Sequence, residues 1–184
     1  ETFGFIDSQD PEFVSRNLGG SFAQTDIDGI AIIDTNGKLR YGGVKYDMSF
    51  VKQGSLKDIS EDLILGDLIA NPIQFGLIRI QGELGYFVSN SIQDSEEYYP
   101  SNGVLVFTRI LKQAFYDRIN LYTDAKITMQ EFSRFQKAHP NITPVQADDD
   151  YEITEPQDRY HIALTNNQDT TIGVMEILYN YGSV

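Results

Sequence analysis

Apolar residues in this chain fall into short runs separated by turn residues, and the richest run lies between Asp28 and Tyr46, DGIAIIDTNGKLRYGGVKY. Ile30, Ala31, Ile32 and Ile33 form a β-branched stretch. Asp34-Thr35-Asn36-Gly37 supplies a polar turn, and Leu39, Tyr41 and Val44 mark the strand leaving it. Asn-Gly suits such a turn because both residues tolerate positive φ, so a β-hairpin is predicted here. Before it, Asp10-Pro11 reads as an N-cap followed by a proline at the first helical position. Phe13, Val14 and Leu18 then share one face, and Gly19-Gly20 is expected to end that helix. Phe3 and Phe5 could belong to an earlier helix.

A polar stretch runs from the hairpin to Asp58. Ser60-Glu61-Asp62 can cap a helix through Leu63, Ile64, Leu65, Leu68 and Ile69, stopped by Asn71-Pro72. Three strands are then expected: Gly76 to Gln81, Leu84 to Ile92 after a turn at Gly82-Glu83, and Val104 to Leu111 after a polar loop. No long crossover separates them, so they pair antiparallel, and with the hairpin they make a five-stranded sheet packed with helices, an α+β fold. Beyond it, Leu111, Phe115, Ile119 and Tyr122 fall at helical spacing, and Lys126 to Met129 reads as a strand. Glu131 to Ala138 reads as a helix. Tyr160 to Leu164, a turn at Asn166 to Asp169, and Ile172 to Tyr179 form a second strand–turn–strand unit whose outline echoes the first hairpin.

At 184 residues, 41% apolar and 22% charged, the chain suits one folded domain or two small ones. It opens at Glu1-Thr2-Phe3 without an initiator Met, so a piece of a longer protein is expected. No apolar run approaches the ~20 residues of a membrane span, and no signal segment opens the chain. Lys plus Arg number 14 against 27 Asp plus Glu, a net charge of −13. That field disfavours nucleic acid and anionic lipid but leaves room for a small anion beside one arginine. Cysteine is absent, which removes thiol catalysis, disulfides and cysteine metal sites.

Several segments resemble the fourth class of CHASE domains, extracytoplasmic sensors of receptor histidine kinases and cyclase-type signalling proteins. Glu1 to Phe5 resembles the end of that family's opening helical motif, and Glu12-Phe13-Val14 with Asn17-Leu18 its short second helix. Ile30 to Gly37 resembles its apolar strand ending in Asp-x-x-Gly. Ser91-Ile92, Pro100 and Gly103 to Arg109 resemble a late strand pair with a Gly-x-Leu-x-x-x-Arg ending. Tyr160 to Tyr179 resembles the closing strand pair. The aromatic, Trp-rich segment that precedes the family's first motif is missing. The resemblance implies a PAS-like sheet of the Cache kind, two flanking transmembrane helices, a cytoplasmic signalling output, and homodimerisation through the N-terminal helices.

Residues 1–25 are therefore expected to be a truncated helical segment and 26–112 the PAS-like sensor sheet. Residues 113–184 would be a C-terminal helix and strand segment of the same sensor module.

Catalytic patterns are missing. His139 and His161 are isolated and carry no metal-binding spacing. No Gly-x-Ser-x-Gly elbow or phosphate-binding glycine loop is present, so no enzyme, cofactor or metal is expected. Asp148-Asp149-Asp150 lacks the spacing of a calcium loop and reads as a solvated run. Asn141-Ile142-Thr143 is a glycosylation sequon, but Pro144 follows it and so short a pattern arises by chance, so no weight is attached to it.

Binding chemistry is better represented. Arg79 interrupts an apolar strand, where it must reach solvent, pair with a carboxylate, or face an anion. Tyr86 and Asn90 share one strand face with Val88, and Arg109 shares one with Leu105 and Phe107. With Tyr41 and Tyr46, these six form a candidate site for a small carboxylate or amino acid. Tyr98 and Tyr99 would be a lid or pack the loop down. A wet outer sheet face explains the same residues without any ligand. The expected function is a ligand-binding extracytoplasmic sensor whose terminal helices shift. The alternatives are a ligand-free dimerisation or protein-interaction module of a receptor, and a hydrolase with a degenerate site.

Overall fold

The computed structural model describes residues 2–8, 10–21, 24–46, 49–52, 55–94, 99–123, 125–146 and 159–179. The Asp148–Asp150 run and Tyr98 lie outside these. The chain divides into two compact units, one formed by Glu1–Gln81 and Gly85–Ile110, the other by Gly82–Leu84 and Leu111–Val184.

The first unit is built on a sheet of order β3-β2-β1-β6-β5-β4, with β1 at Gly29–Asp34, β2 at Leu39–Tyr46 and β3 at Ser49–Lys52. β4 spans Gln74–Ile80, β5 Glu83–Ile92 and β6 Gly103–Ile110. All five strands predicted for this sheet are present, in an α+β arrangement. The difference is the sixth, β3, which pairs along the outer edge of β2 inside the stretch read as polar. Its Phe50-Val51 pair is β-prone, but four residues are too short a pattern to stand out against polar neighbours.

β1 is buried at every position, as a central strand covered on both faces must be. Ala31 and Ile33 point to one face with Val44, Ile78, Ile80, Phe87, Val104 and Val106, where Ile59, Leu63 and Leu68 cover them. Ile30 and Ile32 point to the other with Tyr41 and Ile92. Helices α1 (Thr2–Ser8) and α2 (Pro11–Phe13) cover that second face through Phe5, Ile6 and Phe13. Asp10 caps α2 as expected, its carboxylate accepting from the Glu12 N–H at 2.9 Å. Gly19-Gly20 does not end the helix. α2 runs into a π-helical stretch over Val14–Ser21 that passes through both glycines and carries the buried Leu18. Burial of Phe13 and Leu18 on the sheet outweighs the weak helix propensity of two glycines.

The helix expected from Ser60 begins later. A 3-10 turn at Leu56–Asp58 is followed by irregular chain, and α3 spans only Leu65–Ala70. Ile59 and Leu63 enter the core from non-helical backbone, and the Asp62 carboxylate that would have favoured the helix start holds Arg79 instead.

Both hairpins close through one device. In the first, the Gly37 N–H donates to the Asp34 carbonyl at 3.0 Å, and the Asp34 N–H donates to the Lys38 carbonyl. Asp34 Oδ1 accepts from the Asn36 and Lys38 N–H groups, each at 2.9 Å. Asp34 to Gly37 forms the turn as predicted, but of the Asn-Gly pair only Gly37 has positive φ, +77°; Asn36 does not, so the turn is a type I turn closed by a glycine bulge. In the second hairpin Asn166 stands where Asp34 does. Its Oδ1 accepts from Gln168 and Thr170, both at 3.0 Å, and Asp169 takes the positive φ, +56°. The β4–β5 turn places Gln81 and Gly82 at positive φ, one residue before the predicted position.

The second unit holds a sheet of order β7-β10-β9-β8: Ala125–Glu131, Thr171–Tyr179, Arg159–Thr165 and Val145–Gln146. α4 (Gln113–Asn120) and α5 (Phe132–Ala138) match the expected helices within two residues, with Glu131 capping α5.

Candidate functional site

The register of β5 against β6 assembles most of the predicted set. Tyr86 lies opposite Arg109, Val88 opposite Phe107, and Asn90 opposite Leu105. On β4, Ile78 and Ile80 face the covered side, so Phe75, Leu77 and Arg79 face the same side as Tyr86. Arg79, Tyr86, Asn90 and Arg109 therefore share one face. That face continues through Phe107 and Leu105 to Ile30 and Ile32 of β1, where the N-terminal helices lie. Over β5 and β4 it is more open, with Val88 47% and Phe75 80% exposed.

The other two predicted residues lie elsewhere. Tyr41 is on the same face, opposite Ile32, but buried in the cluster beneath the helices. Burial raises its phenol pKa. Tyr46, at the exposed end of β2, shares the parity of Val44 and so belongs to the opposite face.

The two arginines differ in how firmly they are held. Arg79 is clasped by Asp62: its Nη2 donates to Oδ1 at 2.7 Å, and its Nε and backbone N–H donate to Oδ2 at 3.1 and 2.6 Å. The Asp62 side chain is only 4% exposed, and Glu61 approaches the same guanidinium at 3.9 Å. Of the three fates open to Arg79, the carboxylate pair is the one found. This clasp also takes a backbone N–H of β4, the last strand of its sheet. Arg109 makes a single-nitrogen contact to Asp26 at 2.9 Å, and that Asp26 side chain is 82% exposed. A ligand carboxylate can replace an exposed aspartate at little cost, whereas displacing Asp62 would strand a buried charge.

Sequence reasoning missed Asp26 and Asp62. Asp62 is 17 positions from Arg79 and Asp26 83 from Arg109, so no local spacing signals either pair. Tyr99 stacks on Phe3 of α1 at 6.3 Å between ring centroids, and the Asn102 side-chain amide donates to the Phe3 carbonyl at 2.8 Å. The β5–β6 connection is thus tied to the first helix. An open recess of about 290 Å³ lies against α1 and α2, lined by Phe5, Phe13, Arg16 and Asn17 among others.

In the second unit the two histidines meet. His161 Nε2 lies 3.0 Å from Glu176 Oε2, and the His139 and His161 rings stand 5.9 Å apart beside buried Phe135. The antiparallel register that sets His161 opposite Glu176 is invisible in their sequence spacing. Among the described residues no group of three or more His, Asp or Glu could hold a metal ion.

The CHASE4 domain model matches residues 1–130, and the chain belongs to the CHASE4 domain family. It is an extracytoplasmic sensor domain of a membrane signalling receptor, a sensory module and not a catalytic one. A solved structure, the periplasmic domain of Vibrio cholerae LuxQ, aligns over 97% of this chain and 79% of its own, at 13% identity and a TM-score of 0.38. No curated protein sequence matches.

Proposed function

We propose that this CHASE4 domain binds a small polar or anionic ligand, of the carboxylate or amino acid class, on the open half of its six-stranded sheet. Arg109, Tyr86 and Asn90 would form the recognition surface. The observation that carries this reading is the shared face: Tyr86 and Asn90 lie on the strand that also supplies Ile92, packed among Phe5, Ile6 and Phe13 of α1 and α2. A ligand here and the terminal helices press on the same strands. Binding can shift the helices only if the two helix positions differ in ligand affinity. Residues 113–184 would belong to the same sensor module, and the parent receptor would be a homodimeric histidine kinase with flanking transmembrane helices.

Arg109 is the better ligand cation, because its present partner is exposed and exchangeable while Arg79 is needed by Asp62. The test is calorimetry of the domain against amino acids and carboxylates. Tyr86→Ala and Arg109→Ala should each weaken a ligand found this way by about tenfold or more, consistent with loss of one charge-assisted contact. A ligand bound with unchanged affinity by both variants sinks the site assignment.

A second reading is a protein-interaction or dimerising face without a small ligand. Exposure of Phe75 and Val88 on the same face favours it, since adjoining exposed apolar side chains mark contact surfaces. Silence across the ligand panel, with dimerisation lost in Val88→Asp, would favour this reading over the first.

A further inference from the structure

We propose that Asn141 is an N-glycosylation acceptor. Asn141-Ile142-Thr143 is the one place in the 184 residues where an Asn is followed, two positions on and without an intervening Pro, by Ser or Thr. The pattern alone is cheap; its placement is what carries the inference. The backbone on either side is pinned: the His139 N–H donates to the Phe135 carbonyl at 2.8 Å, and the Ile142 N–H donates to the His139 carbonyl at 3.1 Å. Asn141, Ile142 and Thr143 project from this turn and are all exposed.

The side chains are also uncommitted. Among the described residues neither the Asn141 carboxamide nor the Thr143 hydroxyl makes a hydrogen bond. Asn166 is the contrast, since its amide oxygen closes a turn and the residue is buried. Ile142 and Val145 flank the site at 38% and 43% exposure, apolar surface that a bulky polar glycan would shield. The compartment agrees as well, because the family places this domain outside the cytoplasm, where such transfer occurs.

In the transfer step the Asn141 Nδ2 attacks the anomeric carbon of an oligosaccharide carried on a polyprenyl phosphate or pyrophosphate. The carbon–nitrogen bond forms as the anomeric carbon–oxygen bond breaks. The lipid phosphate leaves with the electron pair, and Nδ2 gives one proton to a base on the transferase.

The experiment is mass spectrometry of the full-length receptor purified from its native membranes, reading both intact mass and the tryptic peptide from Ala138 to Arg159. The expected result is one oligosaccharide on that peptide, lost in Asn141→Gln and Thr143→Ala and retained in Thr143→Ser, with Tm unchanged by Asn141→Gln. An unmodified peptide in the native receptor, or a glycan that persists in Asn141→Gln, overturns the proposal.

Discussion

Replacing Asp34 tests whether the first hairpin is held by an acceptor or by a charge. Asp34 Oδ1 accepts two backbone N–H groups, and Oδ2 accepts from Arg40 Nε at 2.6 Å. Burial is the largest single influence on this carboxyl and raises its pKa. The N–H donors of Lys38 and Asn36 together with the Arg40 guanidinium outweigh it, and the pKa is lowered. Asp34→Ala removes all three contacts. Taking about 1–2 kcal/mol for a lost cap-like acceptor and about 1 kcal/mol for the arginine pair, the cost is roughly 3 kcal/mol. In a chain of this size that lowers Tm by about 6–12 °C. Asp34→Asn should cost only about 1 kcal/mol, because an amide oxygen can accept both N–H bonds, as Asn166 does in the second hairpin. The pH dependence has a definite sign. A lowered folded-state pKa adds stability that is present above the unfolded value of about 3.9 and is lost as pH falls through the folded value. The gap between wild type and Asp34→Asn should therefore hold from pH 7 down to about pH 4 and narrow only below that, in thermal unfolding followed by circular dichroism. Equal costs for Ala and Asn, or a gap that ignores pH, would refute this account.

Arg79→Ala should destabilise the first unit by about 2 kcal/mol, below the 3–5 of a fully buried pair because water reaches the guanidinium, with partial recovery in the Arg79→Ala/Asp62→Asn double variant. Urea unfolding reads this, and full stability of the single variant would show the clasp to be idle. A Cβ at Gly103 would sit 2.2 Å from the Ile33 carbonyl oxygen, between two central strands, whereas one at Gly82 meets no atom within 4 Å and only opposes a positive φ. Gly103→Ala should thus cost more than about 3 kcal/mol and Gly82→Ala about 1, and the reverse order would contradict the structure. Tyr41 and Tyr116 should ionise above the ordinary phenol range in an alkaline absorbance titration, Tyr41 because it is buried and Tyr116 because it is buried and near Glu83. Raised phenol pKa values add stability that is present below about pH 10 and is lost as pH rises through the folded values, so Tyr41→Phe should flatten the alkaline loss.

Two family-like motifs acquire physical reasons in the structure. Asp-x-x-Gly at Asp34 to Gly37 is an acceptor at the strand end plus the one residue that takes positive φ without penalty. In Gly-x-Leu-x-x-x-Arg, Gly103 permits close approach to β1, Leu105 packs beneath the helices, and Arg109 reaches Asp26. The site was partly legible. Period-two alternation put Tyr86 with Asn90 and Arg109 with Phe107, while joining the two strands and adding Arg79 required the pairing register. Alternation could not say that Tyr41 would be roofed by helices whereas Val88 would stay open.

Local chemistry determined the strands, the turns and the first cap, because each depends on residues within about four positions of one another: β-branching, an Asx acceptor, a proline at the first helical turn. Tertiary structure decided what covers each face and which carboxylate meets which arginine. It also decided where the helix after Asp58 begins and how far the one after Pro11 runs. Those outcomes depend on burial and charge pairing between segments far apart in the chain. There, the gain from placing Ile59 and Leu18 in the core and Asp62 against Arg79 exceeds the roughly 1 kcal/mol or less per residue by which local propensity distinguishes one backbone conformation from another.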